Sequence, residues 1–384
     1  MQSDREILNM LGKGEDIGES FFRERIGFLY PSLANKPGGI SWRNYYLTIV
    51  RCKNSENGRF LNKVVLVTGG TSGIGLATAI EFAKEGAAVV VCGRRESKWL
   101  EAERSIEHQI RQRIEYRYCD IRIESNVKDL INYIFEKYGR LDVAFNNAGV
   151  QPGVISSSNS GFITDLFLDS FVAPDGGITY SIPPPQPQSF AQQNKNSEIP
   201  ATQASNASPF RESEIATSCI GTFYCMKWEV KYAFDRGTPL CVVNTSSRNG
   251  VLPDSHRPLY AASKAFILSL TRSVSNQVAV RCVRENRTMI RINSISPGPI
   301  DTPLEFAAYN FSDRGAAEDG KVGYEKYVKN ASVGVPMHRT GRVGEIAPTV
   351  LFLADDEKSS YITGANISID GGNTASPFLC PCDI

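Results

Sequence analysis

Apolar positions in this 384-residue chain fall into short runs and helical stripes that alternate from Lys63 onward. Val64–Val67 is long enough for a buried strand and too short for a helix. Ala87–Cys92, Ile114–Tyr118, Leu141–Phe145, Leu240–Thr245, Met289–Ile295 and Asn366–Ile369 read as strands as well. Between them the pattern predicts helices ending at Gly86 and over Ser97–Arg113, Ser125–Tyr138, Glu212–Phe234 and Val343–Ala354, with another starting near Tyr260. This alternation predicts an α/β fold, a doubly wound parallel sheet of about seven strands with helices on both faces. Strands that end in polar or Gly-rich loops place those loops along one edge of the sheet, where ligands bind.

Four stretches fall outside this rhythm. Residues 1–60 read as an N-terminal extension, with a capping-box spacing at Ser3 and Glu6 and a break at Pro37-Gly38-Gly39; no motif there carries chemistry. Residues 150–212 interrupt the domain: between 181 and 210, 19 of 30 residues are Pro, Gln, Ser or Asn. That content does not offset ordering entropy, so a flexible insertion is expected, either a lid or partner loop or a loop without a role. Residues 301–340 are rich in Gly and charge; Phe306, Tyr309, Phe311, Tyr324, Tyr327 and Met337 there hint at an apolar substrate face or at packing. Residues 376–384 read as a tail, in which Cys380-Pro381-Cys382 is better explained by fraying than by metal binding. The domain itself is expected over 61–375.

Composition narrows the function. Lys plus Arg number 42 against 41 acidic residues, which leaves no electrostatic footprint for nucleic acid or an anionic membrane. No apolar run reaches the ~18–20 residues of a membrane span, and MQSDREILNM lacks the pattern of a signal peptide. Nine cysteines without a C-x-x-C pair, and only three histidines, point to a reduced, cytoplasmic setting with no zinc site.

The chemistry concentrates at two places. Val64–Val67 runs into Thr68-Gly69-Gly70-Thr71-Ser72-Gly73-Ile74-Gly75 and then a helix, a geometry that offers backbone N–H groups and a helix dipole to a phosphate. Gly69 allows a sharp turn, Gly73 close approach to a pyrophosphate, and Gly75 tight packing of helix on strand. The spacing is G-x-x-x-G-x-G, not the G-x-G-x-x-G fingerprint. The second place is Tyr260-Ala261-Ala262-Ser263-Lys264, with a phenol and an ammonium on one helix face. A nearby cation favours phenolate, as a general acid/base near neutrality requires. Tyr133 and Lys137 share the spacing, but Asp120 lies thirteen residues upstream of Tyr133, where Ser247 precedes Tyr260. Tyr133 is read as an ordinary helix residue.

Taken with Asp120, Asn146-Ala148-Gly149, Ser247, Pro297-Gly298, Thr302 and Asp370-Gly371-Gly372, these motifs make residues 61–372 resemble the short-chain dehydrogenase/reductases. The resemblance is greatest to members like the 3-oxoacyl-carrier-protein reductases. It implies a Rossmann-type fold and hydride exchange between a nicotinamide and a small-molecule carbonyl or alcohol. By that resemblance Tyr260 exchanges the proton with the substrate oxygen, Ser247 polarises that oxygen, and Lys264 holds the nicotinamide ribose and tunes Tyr260. Gly69, Gly73 and Ile74 would line the pyrophosphate, Asp120 would reach the adenine, and Asn146 and Gly149 would lie along the adenosine and ribose. Pro297, Gly298, Ile300 and Thr302 would surround the nicotinamide. Thr71, Ser72, Gly75, Ile121 and Ala148 complete the expected cofactor set. A homo-oligomer, dimer or tetramer, is also implied, with helices near 212–234 and 260–280 as candidate interfaces.

The second strand ends in Cys92-Gly93-Arg94-Arg95, with no carboxylate to hold the ribose 2′-hydroxyl of NAD and two guanidiniums suited to a phosphate. NADP is therefore expected over NAD. One departure from the family stands out. Ser218 occupies the position, three residues before Gly221, where the family carries an Asn of its proton relay. Its shorter side chain puts the local helix bulge in question. The competing reading is a nucleotide-binding protein without catalysis, argued against by the presence of Ser247, Tyr260 and Lys264 together. Cation-dependent catalysis lacks a His/Asp/Glu cluster to support it.

Overall fold

The computed structural model describes residues 58–150, 214–254, 257–302, 328–329 and 331–375. The expectations for residues 1–57, the 150–212 insertion beyond Val150, the aromatics between 303 and 327, and the C-terminal tail lie outside these residues.

The β-branched runs form seven parallel strands: β1 Val64–Thr68, β2 Ala88–Gly93, β3 Ile114–Tyr118, β4 Val143–Asn146, β5 Leu240–Thr245, β6 Ile290–Pro297 and β7 Asn366–Ile369. Their order is β3-β2-β1-β4-β5-β6-β7, so the winding reverses between β1 and β4. Such a reversal opens a crevice at the carboxyl ends of the strands. Register brings Thr68 level with Asn146, and Asn146 level with Asn244, along that edge.

Side chains alternate across each strand, and both faces are covered, which is why the strands read as continuous apolar runs. Val65, Val67, Val89 and Val91 face a core completed by α1 (Gly73–Lys84) and α6 (Val343–Ala354). Val64, Leu66, Val90 and Ala144 face the other, completed by α3 (Glu124–Tyr138), α4 (Thr222–Arg236) and α5 (Pro258–Arg284). The first core takes in Phe60, whose ring meets Phe82 edge-on at 4.8 Å between centroids.

One expected helix is broken. In place of a continuous Ser97–Arg113 helix, α2 covers Glu96–Ala102, a 3-10 turn follows, and a short helix spans His108–Arg111. The break lies at Ile106, which takes extended backbone (φ −86°, ψ 132°) and joins the same core as Trp99. A charged helical pattern conceals that requirement, because the second apolar anchor is reached only by leaving the helix.

Candidate active site

The cleft at the strand ends is built by three close approaches. At the β1–α1 turn, Gly69 and Gly73 adopt φ of +64° and +54°, in the left-handed region that glycine alone enters freely. A Cβ on Gly75 would lie 2.4 Å from Gly69 O, so the helix packs on the strand as its spacing implies. Thr68 Oγ1 accepts from Asn147 N at 3.0 Å and Ala148 N at 3.1 Å, pinning the β4 loop to this turn.

The second approach brings β5 to α5. Ser247 follows β5 and caps a one-turn helix, Arg248–Val251, its Oγ accepting from Asn249 N at 3.2 Å. Gly250 lets that turn lie against α5, since a Cβ there would stand 2.7 Å from Lys264 C. Ser246 Oγ donates to Lys264 O at 2.8 Å and Lys264 Nζ to Thr245 O at 3.1 Å. The third approach joins the remaining motifs: Gly298 N donates to Ile369 O at 3.0 Å, and a Cβ on Gly298 would lie 2.8 Å from Asp370 Cα.

Ser247, Tyr260 and Lys264 therefore share one cleft with Ile74, Gly149, Pro297, Gly298, Ile300 and Thr302. Tyr260 is 8% exposed and Lys264 4%. Both the Lys264 ammonium and the Arg257 guanidinium lie 5.7 Å from the Tyr260 ring centroid. Burial strips the Lys264 ammonium of water and brings its pKa down to about 8, with Cys219 and Glu214 acting in the opposite sense.

Other expected residues lie further along the edge or turn away. Thr71 stands beside Gly93, where a Cβ would be 3.3 Å from its side chain, and Ser72 caps α1 without a side-chain hydrogen bond. Arg94 and Arg95 are exposed just past β2. Asp120 is buried, which alone would raise its pKa, but hydrogen bonds from Arg122 at 2.6 to 3.1 Å hold it below the ordinary carboxylate range. Ile121 packs into the core against Gly221, where a Cβ would be 2.7 Å from it. Asn146 does not present its side chain to the cleft. Its Nδ2 donates to Glu229 Oε2 at 3.0 Å and Asn244 Oδ1 at 3.1 Å, turned inward by its place at the end of a buried strand. The neighbouring Asn147 lines the cleft instead.

Ser218 sits in the middle of a π-helical segment, Ile215–Gly221, that leads into α4. The bulge forms with serine present, although Ser218 Oγ has no hydrogen-bond partner. Sequence reasoning passed over Arg257, Asn249, Asn147 and Glu214. For Glu214 a signal existed, its four-residue offset from Ser218.

Tyr133 and Lys137 resolve differently. Both donate to Glu115 on β3, as does Tyr138, so this pair belongs to an ion cluster at the edge of the sheet.

A glycine-lined turn at the N-terminus of the 12-residue α1, a buried lysine beside a phenol, and a reversal of strand order together define a dinucleotide-binding oxidoreductase. Residues 63–168 match the family model for short chain dehydrogenase, and residues 200–374 that for Enoyl-(Acyl carrier protein) reductase. An uncharacterized short-chain type dehydrogenase/reductase of Acanthamoeba polyphaga mimivirus is 39% identical over 351 residues, covering 84% of this chain and 99% of that one. The 3beta-hydroxysteroid dehydrogenase of Mediterraneibacter gnavus is 32% identical over 325 residues, covering 83% and 96%. Among solved structures, the ligand-free aldohexose dehydrogenase of Thermoplasma acidophilum matches with a TM-score of 0.58 at 25% identity, covering 84% and 98%.

The chain belongs to the short-chain dehydrogenase/reductase family. It is a nicotinamide-dependent oxidoreductase acting between carbonyl and alcohol groups of small molecules. Among the described residues no helix is long and apolar enough to cross a membrane, and no cluster of three metal-ligating side chains occurs.

Proposed function

We propose that the protein interconverts a ketone and a secondary alcohol with NADP(H), using Tyr260 as general acid/base. The observation that carries this reading is the convergence of Ser247, Tyr260 and Lys264 in one cleft. The residues present fit a nicotinamide dinucleotide: two positive-φ glycines and a helix N-terminus for the pyrophosphate, and bare backbone at Gly149 and Gly298 where the ring and ribose need room. Bound there, the nicotinamide supplies the hydride donor or acceptor.

This chain's residues handle the proton. Ser247 Oγ–H donates to the substrate oxygen and holds it beside the phenol. Tyr260 gives that oxygen a proton in reduction and takes it back in oxidation. The positive charge of Lys264 favours the phenolate over the phenol. Lys264 is itself held by the Thr245 carbonyl, so its position is fixed by the sheet. Gly69, Thr71, Ser72, Gly73 and Ile74 are assigned to the pyrophosphate, and Arg94 and Arg95 to the 2′-phosphate of NADP. Pro297, Gly298, Ile300 and Thr302 are assigned to the nicotinamide, and Asp120 to the adenine end once its pairing with Arg122 is loosened.

Exposed Ile220 and Phe223 around the start of α4, and Phe266 on α5, support assembly of identical chains through these helices. The direct test incubates the purified protein with NADPH or NADH and a panel of diketones and oxoacyl thioesters. Turnover with a higher kcat/KM for NADPH is expected. Cofactor binding without turnover would favour the non-catalytic reading, and a preference for NADH would remove Arg94 and Arg95 from the assignment.

A further inference from the structure

The π-helical segment and β5, beside the cleft, carry buried polar atoms that have no hydrogen-bond partner. Ser218 Oγ and Thr217 Oγ1 of the π-helical segment, Thr245 Oγ1 of β5, and Glu214 Oε1 have no hydrogen-bond partner. Lys264 Nζ carries three donors, and Thr245 O is the one acceptor it meets among the described residues. A Cβ placed on Gly149 would stand 3.4 Å from Lys264 Nζ and 4.0 Å from Ser218 Oγ, so both atoms border the same small space. Buried polar groups are satisfied in nearly every protein, by neighbours or by water. An ammonium with donors to spare and an unsatisfied serine hydroxyl bordering one space mark a route for protons more than a packing defect.

Among Ser218, Thr217, Thr245 and Glu214, it is Glu214 that ionises. It stands immediately before the π-helical segment, one turn from Ser218, and is 3% exposed. The charges that act on it are Arg257, at the start of α5, and Lys264, further along the same helix; Glu214 in turn acts on Lys264 and on Cys219 within its own segment.

We propose that Glu214 is a proton reservoir for the active site, exchanging a proton with Lys264 through the polar space beside Gly149 and Ser218. It acts through Lys264 and does not touch the substrate, so it is a positioning residue. The proposal rests on the reductase reading above. In oxidation the carbinol carbon loses hydrogen as hydride, with its electron pair, and the hydroxyl loses a proton. NADP would supply the hydride acceptor. The hydroxyl O–H breaks as an O–H forms at Tyr260, and the Tyr260 O–H breaks as an N–H forms at Lys264 Nζ. That N–H takes the place of the one given up there to form an O–H at Glu214, and solvent then takes the Glu214 proton. Reduction runs the same transfers backwards and draws the proton from Glu214. Burial raises the Glu214 carboxyl to about 7, against the opposing charges of Arg257 and Lys264, so it changes state near neutrality. The sign follows: oxidation needs the ionised form and weakens as pH falls through about 7, while reduction needs the protonated form and weakens as pH rises through about 7.

The test uses the full chain and two readouts. First, infrared difference spectra across pH 5–9, without substrate, compare wild type with Glu214→Gln. A protonated-carboxyl band that disappears near neutrality and is missing in the variant is expected, with its midpoint moved upward in Lys264→Met. A Glu214 ionised throughout that range, or a midpoint indifferent to Lys264, overturns the proposal whether or not any substrate is known. Second, kcat against pH is measured in both directions with NADPH or NADP and whichever ketone–alcohol pair the panel identifies. Glu214→Gln keeps shape and hydrogen bonding, so a structural role predicts an unchanged profile. The reservoir predicts loss of the neutral limb and a fall in kcat of roughly tenfold with KM unchanged. If Tyr260→Phe abolishes turnover while Glu214→Gln leaves the profile intact, the reservoir is wrong and the reductase reading stands. If Tyr260→Phe keeps full activity, the reading itself fails.

Discussion

The chain holds the same two-residue device twice, a tyrosine and a lysine four apart on a helix, and puts it to different uses. Lys137 is half exposed and donates to Glu115 Oε2 at 2.8 Å, which raises its pKa above the ordinary lysine value. Lys264 is buried against a backbone carbonyl, and burial lowers its pKa to about 8. A lysine that has found a carboxylate is fixed as a permanent cation. One that has only dipoles and distant charges is poised between states. Spacing brings the two groups together; their surroundings decide whether the pair is a strut or a piece of chemistry.

The comparison is broken most directly by removing one hydroxyl from each pair. Tyr260→Phe is expected to lower kcat by about 10²–10⁴, the usual worth of a general acid/base, while Tyr133→Phe stays within about twofold of wild type. Steady-state rates with NADPH on one carbonyl substrate check both. Equal losses would mean that the surroundings of the two pairs do not set their roles apart.

Next in size is a contrast between two carboxyls, one buried in the core beside the end of β4 and one in the ion cluster at the sheet edge. Glu229 is fully buried beside Asn146, and burial raises it to about 8. Folded protein therefore keeps a proton that the unfolded chain, with an ordinary carboxyl pKa near ~4.3, gives up. Stability from this group is fully present below that pKa and falls as pH rises towards about 8, by up to roughly 1.4 kcal/mol per pH unit. Urea unfolding from pH 5 to 9 is expected to show that slope in wild type and to lose it in Glu229→Gln. Glu115, partly buried among three donors, behaves oppositely: burial pushes it up, but Lys137, Tyr133 and Tyr138 outweigh this and hold it below the ordinary value. The smallest effect is expected here, with Glu115→Ala costing less than about 1 kcal/mol by the same unfolding measurement and leaving kcat unchanged.

Much of the sheet was legible because a strand buried on both faces must read as a short apolar run, as Leu240–Thr245 does. The glycine turn was legible because backbone at +64° and +54° calls for glycine. The break at Ile106 was not, since its cause is a contact with a distant core. Asn146 was placed along the cofactor by its motif, whereas its amide is held inside by Glu229, a partner 83 residues away. For Glu214 the offset from Ser218 is a trace in the sequence, but its burial depends on how the segment after the insertion lies against α5. Ser218 departs from the Asn that the family carries, and the helix bulge forms around it without its hydroxyl taking part.

Whether burial poises Lys264 while pairing fixes Lys137 is decided by titrating the two ammonium groups. NMR of the full chain labelled at lysine, assigned with Lys264→Arg and Lys137→Arg, reads both midpoints. Lys264 is expected to lose its proton near pH 8 and Lys137 to remain charged beyond the ordinary lysine range. A Lys264 midpoint at or above that of an exposed lysine would contradict it.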